Sequence, residues 1–146
     1  MIDGKDALEK AVSLFLQNGA TCAVISDSEE FISHERGVKP LLSLVDEKRD
    51  VRGGAAADKV VGKAAAMLYI LLGINALYAC VISELAIDVL IANGIKVTYD
   101  KKVPMIRNRT DTGFCPMEQA TKDIDDVKEA LTAIRDTLKK LENSKK

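Results

Sequence analysis

Tryptophan is missing from this 146-residue chain, and histidine occurs once. Cysteine, proline, phenylalanine and tyrosine occur three times each. Each scarcity removes a class of function. One histidine, His34, and no CxxC pair cannot assemble an ordinary zinc site, which draws on several His and Cys ligands at short spacings. Cys22, Cys80 and Cys115 are odd in number and far apart, so no disulfide framework is expected. Charge of one sign is lacking too. The 21 Lys and Arg nearly cancel the 22 Asp and Glu, leaving −1. That balance offers no field to nucleic acid or to an anionic membrane, so neither is expected as a partner. The opening MIDGKDALEK lacks the basic flank and apolar run of a secretory leader. With no disulfide pattern either, a reducing cytoplasm is the expected compartment. The sequon Asn108-Arg109-Thr110 then carries no meaning.

Long uncharged runs are rare, with one exception. AAAMLYILLGINALYACVI, 64–82, holds no charge over 19 residues. Its length alone would span a bilayer. Gly73-Ile74-Asn75 punctuates it, however, and such a helix stop divides the run into one buried helix and one buried strand. The length of the chain suits a domain with one real core.

The patterns read as follows. Asp6-Ala7-Leu8-Glu9 resembles a capping box, and Leu8, Ala11, Val12, Phe15 and Leu16 form the stripe of an amphipathic helix ending at Asn18-Gly19. TCAVIS, 21–26, and EEFISH, 29–34, form a hairpin. GVKPLLSLVDEK, 37–48, is a short helix with Pro40 in its first turn. A polar loop leads to a helix from about Ala56 to Leu72. ALYACVIS, 76–83, is a buried strand, ELAIDVLIANG, 84–94, a helix, and IKVTYD, 95–100, a strand. KVPMIRN, 102–108, is one more strand weakened by Pro104. Ile124, Val127, Leu131, Ile134, Leu138 and Leu141 mark a long final helix. Strands joined through helices require crossovers. The expected fold is a three-layer α/β/α domain over residues 1–121 with a mixed sheet of about five strands. Residues 122–146 add an amphipathic helix that packs on the domain or on a second subunit, which favours a homo-oligomer such as a dimer.

Three places concentrate chemistry. In AAADKVVGKAAA, 55–66, Gly62-Lys63 suggests a P-loop, but position 57 is Ala where a Gly is needed and position 64 is Ala where Ser or Thr is needed. What remains is Lys59 and Lys63 four apart on one helical face, with Gly62 leaving room for close approach. Lys59 reads as a solvated lysine. Lys63, among small apolar residues, needs a partner. The second place is RNRTDTGFCPMEQAT, 107–121. Pro116 suits a first helical position and sets Cys115 at a helix start, where a thiolate is stabilised. Glu118 is either a general acid or base or a helix-start cap. Asn108, Arg109 and Gly113 supply polar and backbone contacts. The third is VISELAIDV, 81–89, where Ser83-Glu84 sits at a strand-to-helix handover, the place at which open α/β sheets bind ligands. Each residue alone also reads as a cap or a helix-start acid. No GxGxxG is present, and no cofactor is expected.

DKVVGKAAA and NRTDTGFCPMEQAT, with ALYACVISELAIDVLIANGI between them, resemble a prokaryotic domain family of unassigned activity with a cytidine-deaminase-like fold. The resemblance covers roughly residues 5–121. It implies a three-layer sheet in which two helix starts converge. Zinc deaminases place His/Cys-x-Glu at one such start and Pro-Cys-x-x-Cys at the next. Here those starts read DKVVGKAAA and VISELAIDV and carry no ligand set. The implied pocket is instead lined by Asp58, Lys63, Ser83 and Glu84, with the loop 108–118 folded over it.

Three functional readings stay open at this point. The first is a domain that binds a small, nucleotide- or nucleoside-like molecule, with Lys63 on an anionic group and Asn108, Arg109 and Glu118 as polar contacts. The second is a metal-independent enzyme that uses Cys115 as nucleophile or Lys63 as amine, with Glu84 or Glu118 moving protons. The third is an interaction protein that assembles through its final helix.

Overall fold

A computed structural model describes residues 4–108 and 112–144. The elements run α1 (Gly4–Gln17), β1 (Cys22–Ile25), β2 (Glu30–Ser33), α2 (Lys39–Asp46), β3 (Ala55–Val61), α3 (Lys63–Leu72), β4 (Ala76–Ser83), α4 (Glu84–Ala92), β5 (Lys96–Val103), α5 (Pro116–Thr121) and α6 (Val127–Ser144). The strands form one sheet in the order β2-β1-β3-β4-β5. β1 pairs antiparallel with both β2 and β3, whereas β3, β4 and β5 are parallel. This is the expected mixed, five-stranded α/β sheet with helices on both sides.

Strand alternation divides the core in two. Ala23, Ile25, Ala55 and Ala57 face α1 and meet Ala7, Ala11 and Phe15. Val24, Ala56, Leu77 and Ala79 face the other way, toward α2, α3, α4 and α6. The parallel crossovers through α3 and α4 put both helices on that second side. α6 packs on α3 and α5, and its Ala130 and Ile134 are fully buried in the main core.

Four expectations need correction. Ala55–Val61 is a strand, not the front of a helix, and α3 starts only at Lys63. Lys59 and Lys63 therefore share no helical face. The alanines sit in the sheet because helices approach it closely from both sides, and that packing outweighs the helix preference of alanine. Second, α1 begins at Gly4, so Asp6 lies inside its first turn rather than capping it. The buried face of α1 is Ala7, Ala11 and Phe15, while Leu16 is 66% exposed. Third, residues 102–108 form no strand of their own, and the place of this expected fifth strand is taken by Ala55–Val61. β5 continues to Val103, and beyond it Arg107 and Phe114 form an isolated antiparallel bridge. Fourth, Asp58 lies mid-strand on β3 and is no lining residue of the helix-start crevice. The uncharged run divides where Gly73, at φ 78°, closes α3. Among the described residues no helix is long and apolar enough to cross a membrane.

Candidate functional site

The parallel strands β3 and β4 both hand over directly to helices at their carboxyl ends, and this sets the starts of α3 and α4 side by side. A helix start leaves backbone N–H groups without intrahelical acceptors. Ser83 caps α4 itself, its Oγ accepting the Ala86 N–H at 3.1 Å. Gly62 precedes α3 and has no side chain to do the same. The missing acceptor comes from far along the chain. Glu118, 1% exposed on α5, takes the Lys63 N–H on Oε1 at 2.7 Å. The same Oε1 accepts the Ser83 hydroxyl at 3.2 Å. Its Oε2 accepts the Ile106 N–H at 2.7 Å. One carboxylate thus joins α3, α4 and the segment after β5. Gly62 makes the approach possible: a Cβ there would stand 3.2 Å from Glu118 Oε2 and 3.2 Å from Ile106 Cγ1.

Lys63 completes the tie from the other side. It is 5% exposed, and its Nζ donates to the Lys122 carbonyl at 2.9 Å and to Asp125 Oδ1 at 3.3 Å. Its partner is therefore the turn between α5 and α6. Glu84 points outward, exposed in the first turn of α4. Asn108 structures its own loop: Oδ1 accepts the Thr112 N–H at 3.0 Å and its N–H donates to the Gly113 carbonyl at 2.9 Å. Arg109 lies outside the described residues. Cys115 precedes α5, its N–H donates to the Ile106 carbonyl at 2.9 Å, and its thiol does not cap the helix. So Gly62, Lys63, Ser83 and Glu118 come together, while Asp58, Glu84, Asn108, Gly113 and Cys115 stand apart from that cluster.

Asp58 belongs to a separate, largely buried chain. Tyr69 Oη donates to Asp58 Oδ2 at 2.7 Å and lies 3.2 Å from Cys22 Sγ. Burial pushes the Asp58 carboxyl up to about 7, against the pull of the Tyr69 hydroxyl and the Val60 and Lys59 N–H groups. Burial likewise raises the Tyr69 phenol and the Cys22 thiol, and the Asp58 charge adds to both.

Beside the Glu118 hub opens a cleft that the residue patterns did not announce. Val60, Val81 and Val103 line it from the carboxyl ends of the three parallel strands, and Ile106, Arg107 and Phe114 line it from the segment above. Its volume is about 420 Å³. Val60 is 47% and Phe114 44% exposed. The Arg107 guanidinium sits 5.7 Å from the centre of the Phe114 ring, within cation–π range. The available signal was the set of valines that end or nearly end β3, β4 and β5, followed by an aromatic residue in the next loop. Among the described residues no three His, Cys, Asp or Glu side chains gather to hold a metal ion.

Fold and site together define a mixed-sheet α/β domain with an internal carboxylate tie and an apolar cleft at the strand ends. Residues 10–138 match the TM1506 family, a domain of unknown function (DUF1893), and the chain belongs to that family. It is similar to the crystal structure of a DUF1893 family protein (TM1506) from Thermotoga maritima, at 26% identity over 92% of each chain with a TM-score of 0.83. No curated protein matches the chain.

Proposed function

We propose that the protein is a small-molecule-binding domain for a nucleoside- or nucleotide-like ligand, on a cytidine-deaminase-like scaffold that lacks the zinc ligands. The observation that carries the binding reading is the cleft over Val60, Val81 and Val103. Its volume falls in the range of ligand sites, about 300–1,000 Å³, and it lies at the carboxyl ends of parallel strands, near the place where open α/β sheets bind ligands. An exposed phenyl ring beside a guanidinium suits a planar, π-rich ring, which stacks on either. The scaffold reading is supported by the converging starts of α3 and α4. Zinc does not fit there. Lys63 and Ser83 stand at those starts, and the Glu118 carboxylate is taken up by N–H and O–H donors.

A thermal-shift panel of adenosine, cytidine, AMP and CMP tests the reading. A ligand at about a hundred times its dissociation constant adds about 2.7 kcal/mol, a rise of roughly 5–10 °C for a domain of this size. Phe114→Ala should abolish the shift while leaving the ligand-free unfolding temperature nearly unchanged. A flat panel, or a shift that survives Phe114→Ala, would overturn the reading. Lys63→Ala should lower the ligand-free unfolding temperature and leave the shift intact, because Lys63 ties α3 to the turn before α6.

A further inference from the structure

We propose that Glu118 is the positioning residue of the cleft: its carboxylate pins the segment 104–107 onto the ends of β3 and β4 and so sets the spacing between the two cleft walls. This rests on the ligand reading of the cleft, but the pinning itself can be measured without any ligand. The lower wall is strand, with Val60 on β3 and Val81 on β4. The upper wall is Pro104, Ile106 and Arg107, which belong to no helix or strand and depend on tethers for their place. Two tethers bear on Ile106. Its carbonyl accepts the Cys115 N–H at 2.9 Å, which keeps it within its own loop. Its N–H reaches Glu118 Oε2, and Glu118 Oε1 reaches the first residue of α3 and the cap of α4. Of these two hydrogen bonds, the second runs from the upper wall to the elements that carry the lower one.

The two carboxylate oxygens divide the task. Oε1 serves the helix starts, and through Ser83 it continues a chain in which the Ala86 N–H donates to Ser83 Oγ and the Ser83 hydroxyl donates to Glu118. Oε2 serves Ile106. A glutamine at 118 keeps one oxygen and replaces the other by an NH₂ group. Placed with its oxygen toward Lys63 and Ser83, it satisfies two donors and turns a donor against the Ile106 N–H. That orientation loses one of the three original hydrogen bonds, and the opposite one loses two. Glu118→Gln therefore releases the upper wall and keeps the helix starts capped. Glu118→Ala removes all three contacts and opens a carboxylate-sized space in front of three donors. Such a space is built to take up a small free carboxylate.

The test uses the full chain as wild type, Glu118→Gln and Glu118→Ala, with amide hydrogen exchange at Ile106, Lys63 and Leu77 and titration with AMP. In Glu118→Gln, Ile106 should exchange at least about tenfold faster while Lys63 and Leu77 stay close to wild type, the size of effect expected for losing a hydrogen bond to a charged group. In Glu118→Ala, both Ile106 and Lys63 should speed up, and added formate should slow both again. AMP binding should weaken in Glu118→Gln and recover with formate in Glu118→Ala. Unchanged exchange at Ile106 would overturn the proposal. So would equal acceleration at Ile106, Lys63 and Leu77, which marks a loss of stability everywhere. AMP binding that is the same in wild type and Glu118→Gln would also overturn it. If neither AMP nor the nucleosides bind wild type, the ligand reading of the cleft fails, and the exchange data still decide whether Glu118 holds the wall. If Glu118→Ala does not fold, Glu118→Gln decides it alone.

Discussion

Replacing Asp58 by Asn should make the protein more stable at neutral pH and erase part of its pH dependence. Burial lifts the Asp58 carboxyl from 3.8 to about 7 in the folded protein. As pH rises, the unfolded chain releases this proton first. The stability linked to the group is whole below pH 4, declines between pH 4 and 7, and is level above that. At about 1.4 kcal/mol per pH unit the full decline is about 4 kcal/mol. The side chain keeps some contact with solvent, which weakens the penalty, and about 2 kcal/mol is the expected decline. Asparagine preserves the packing. Its Nδ2 can donate to Tyr69, whose hydroxyl then turns to Cys22 Sγ, 3.2 Å away. The assay is urea unfolding of wild type and Asp58→Asn at intervals from pH 5 to pH 8. Wild type should lose stability relative to the variant as pH rises, with Asp58→Asn the more stable by about 2 kcal/mol at pH 8. Parallel profiles, or a variant weaker than wild type at pH 8, would refute the reasoning.

Two further predictions concern packing. A Cβ on Gly54 would stand 2.1 Å from the Ile25 carbonyl oxygen and 2.9 Å from that of Val51. Because both obstacles are backbone, Gly54→Ala should cost more than about 2 kcal/mol in urea unfolding, and a near-neutral result would mean that β1 and β3 are spaced differently at that end. Ile134 is fully buried in the main core. Ile134→Ala should cost about 2–5 kcal/mol by the same measurement, and a loss under about 1 kcal/mol would mean that α6 does not dock as described.

Much of the fold was legible because its punctuation is local. Asn18-Gly19 ends α1, Gly73 ends α3, and strand β4 followed by the Ser83 cap could be read to the residue. β3 was not legible. AAADKVV has the composition of a helix, and only the two helical layers that press on it make small residues in a strand sensible. The stripe of α1 slipped for the same reason: a sheet face of Ala23, Ala55 and Ala57 accepts Ala7 and Ala11 more closely than Leu8 or Leu16. The hub was half legible. Lys63 stood out as a charge in need of a partner and Glu118 as an acid at a helix start, but they meet across 55 positions, and the Nζ of Lys63 finds its acceptors 59 and 62 positions away. Gly62 offered an unused clue. A helix that starts behind a glycine has no side chain to cap it, so its first N–H needs an acceptor from elsewhere, and the buried acid of CPMEQAT was available. The cleft had the weakest signal, since it is formed by strand ends that come together only in the sheet.

The division of the core into two faces has a consequence for how the chain is made. Among the described residues, the α1 side draws on those between Ala7 and Cys80, whereas the α3 side also needs Ala130 and Ile134. At about 5–20 residues per second, the ribosome delivers the whole of the first side roughly 3–10 s before it delivers the last of the second. For much of that interval the first face is complete, while the second has α2, α3 and α4 but lacks α6. The nascent domain then exposes the apolar face of α3 that the final helix covers.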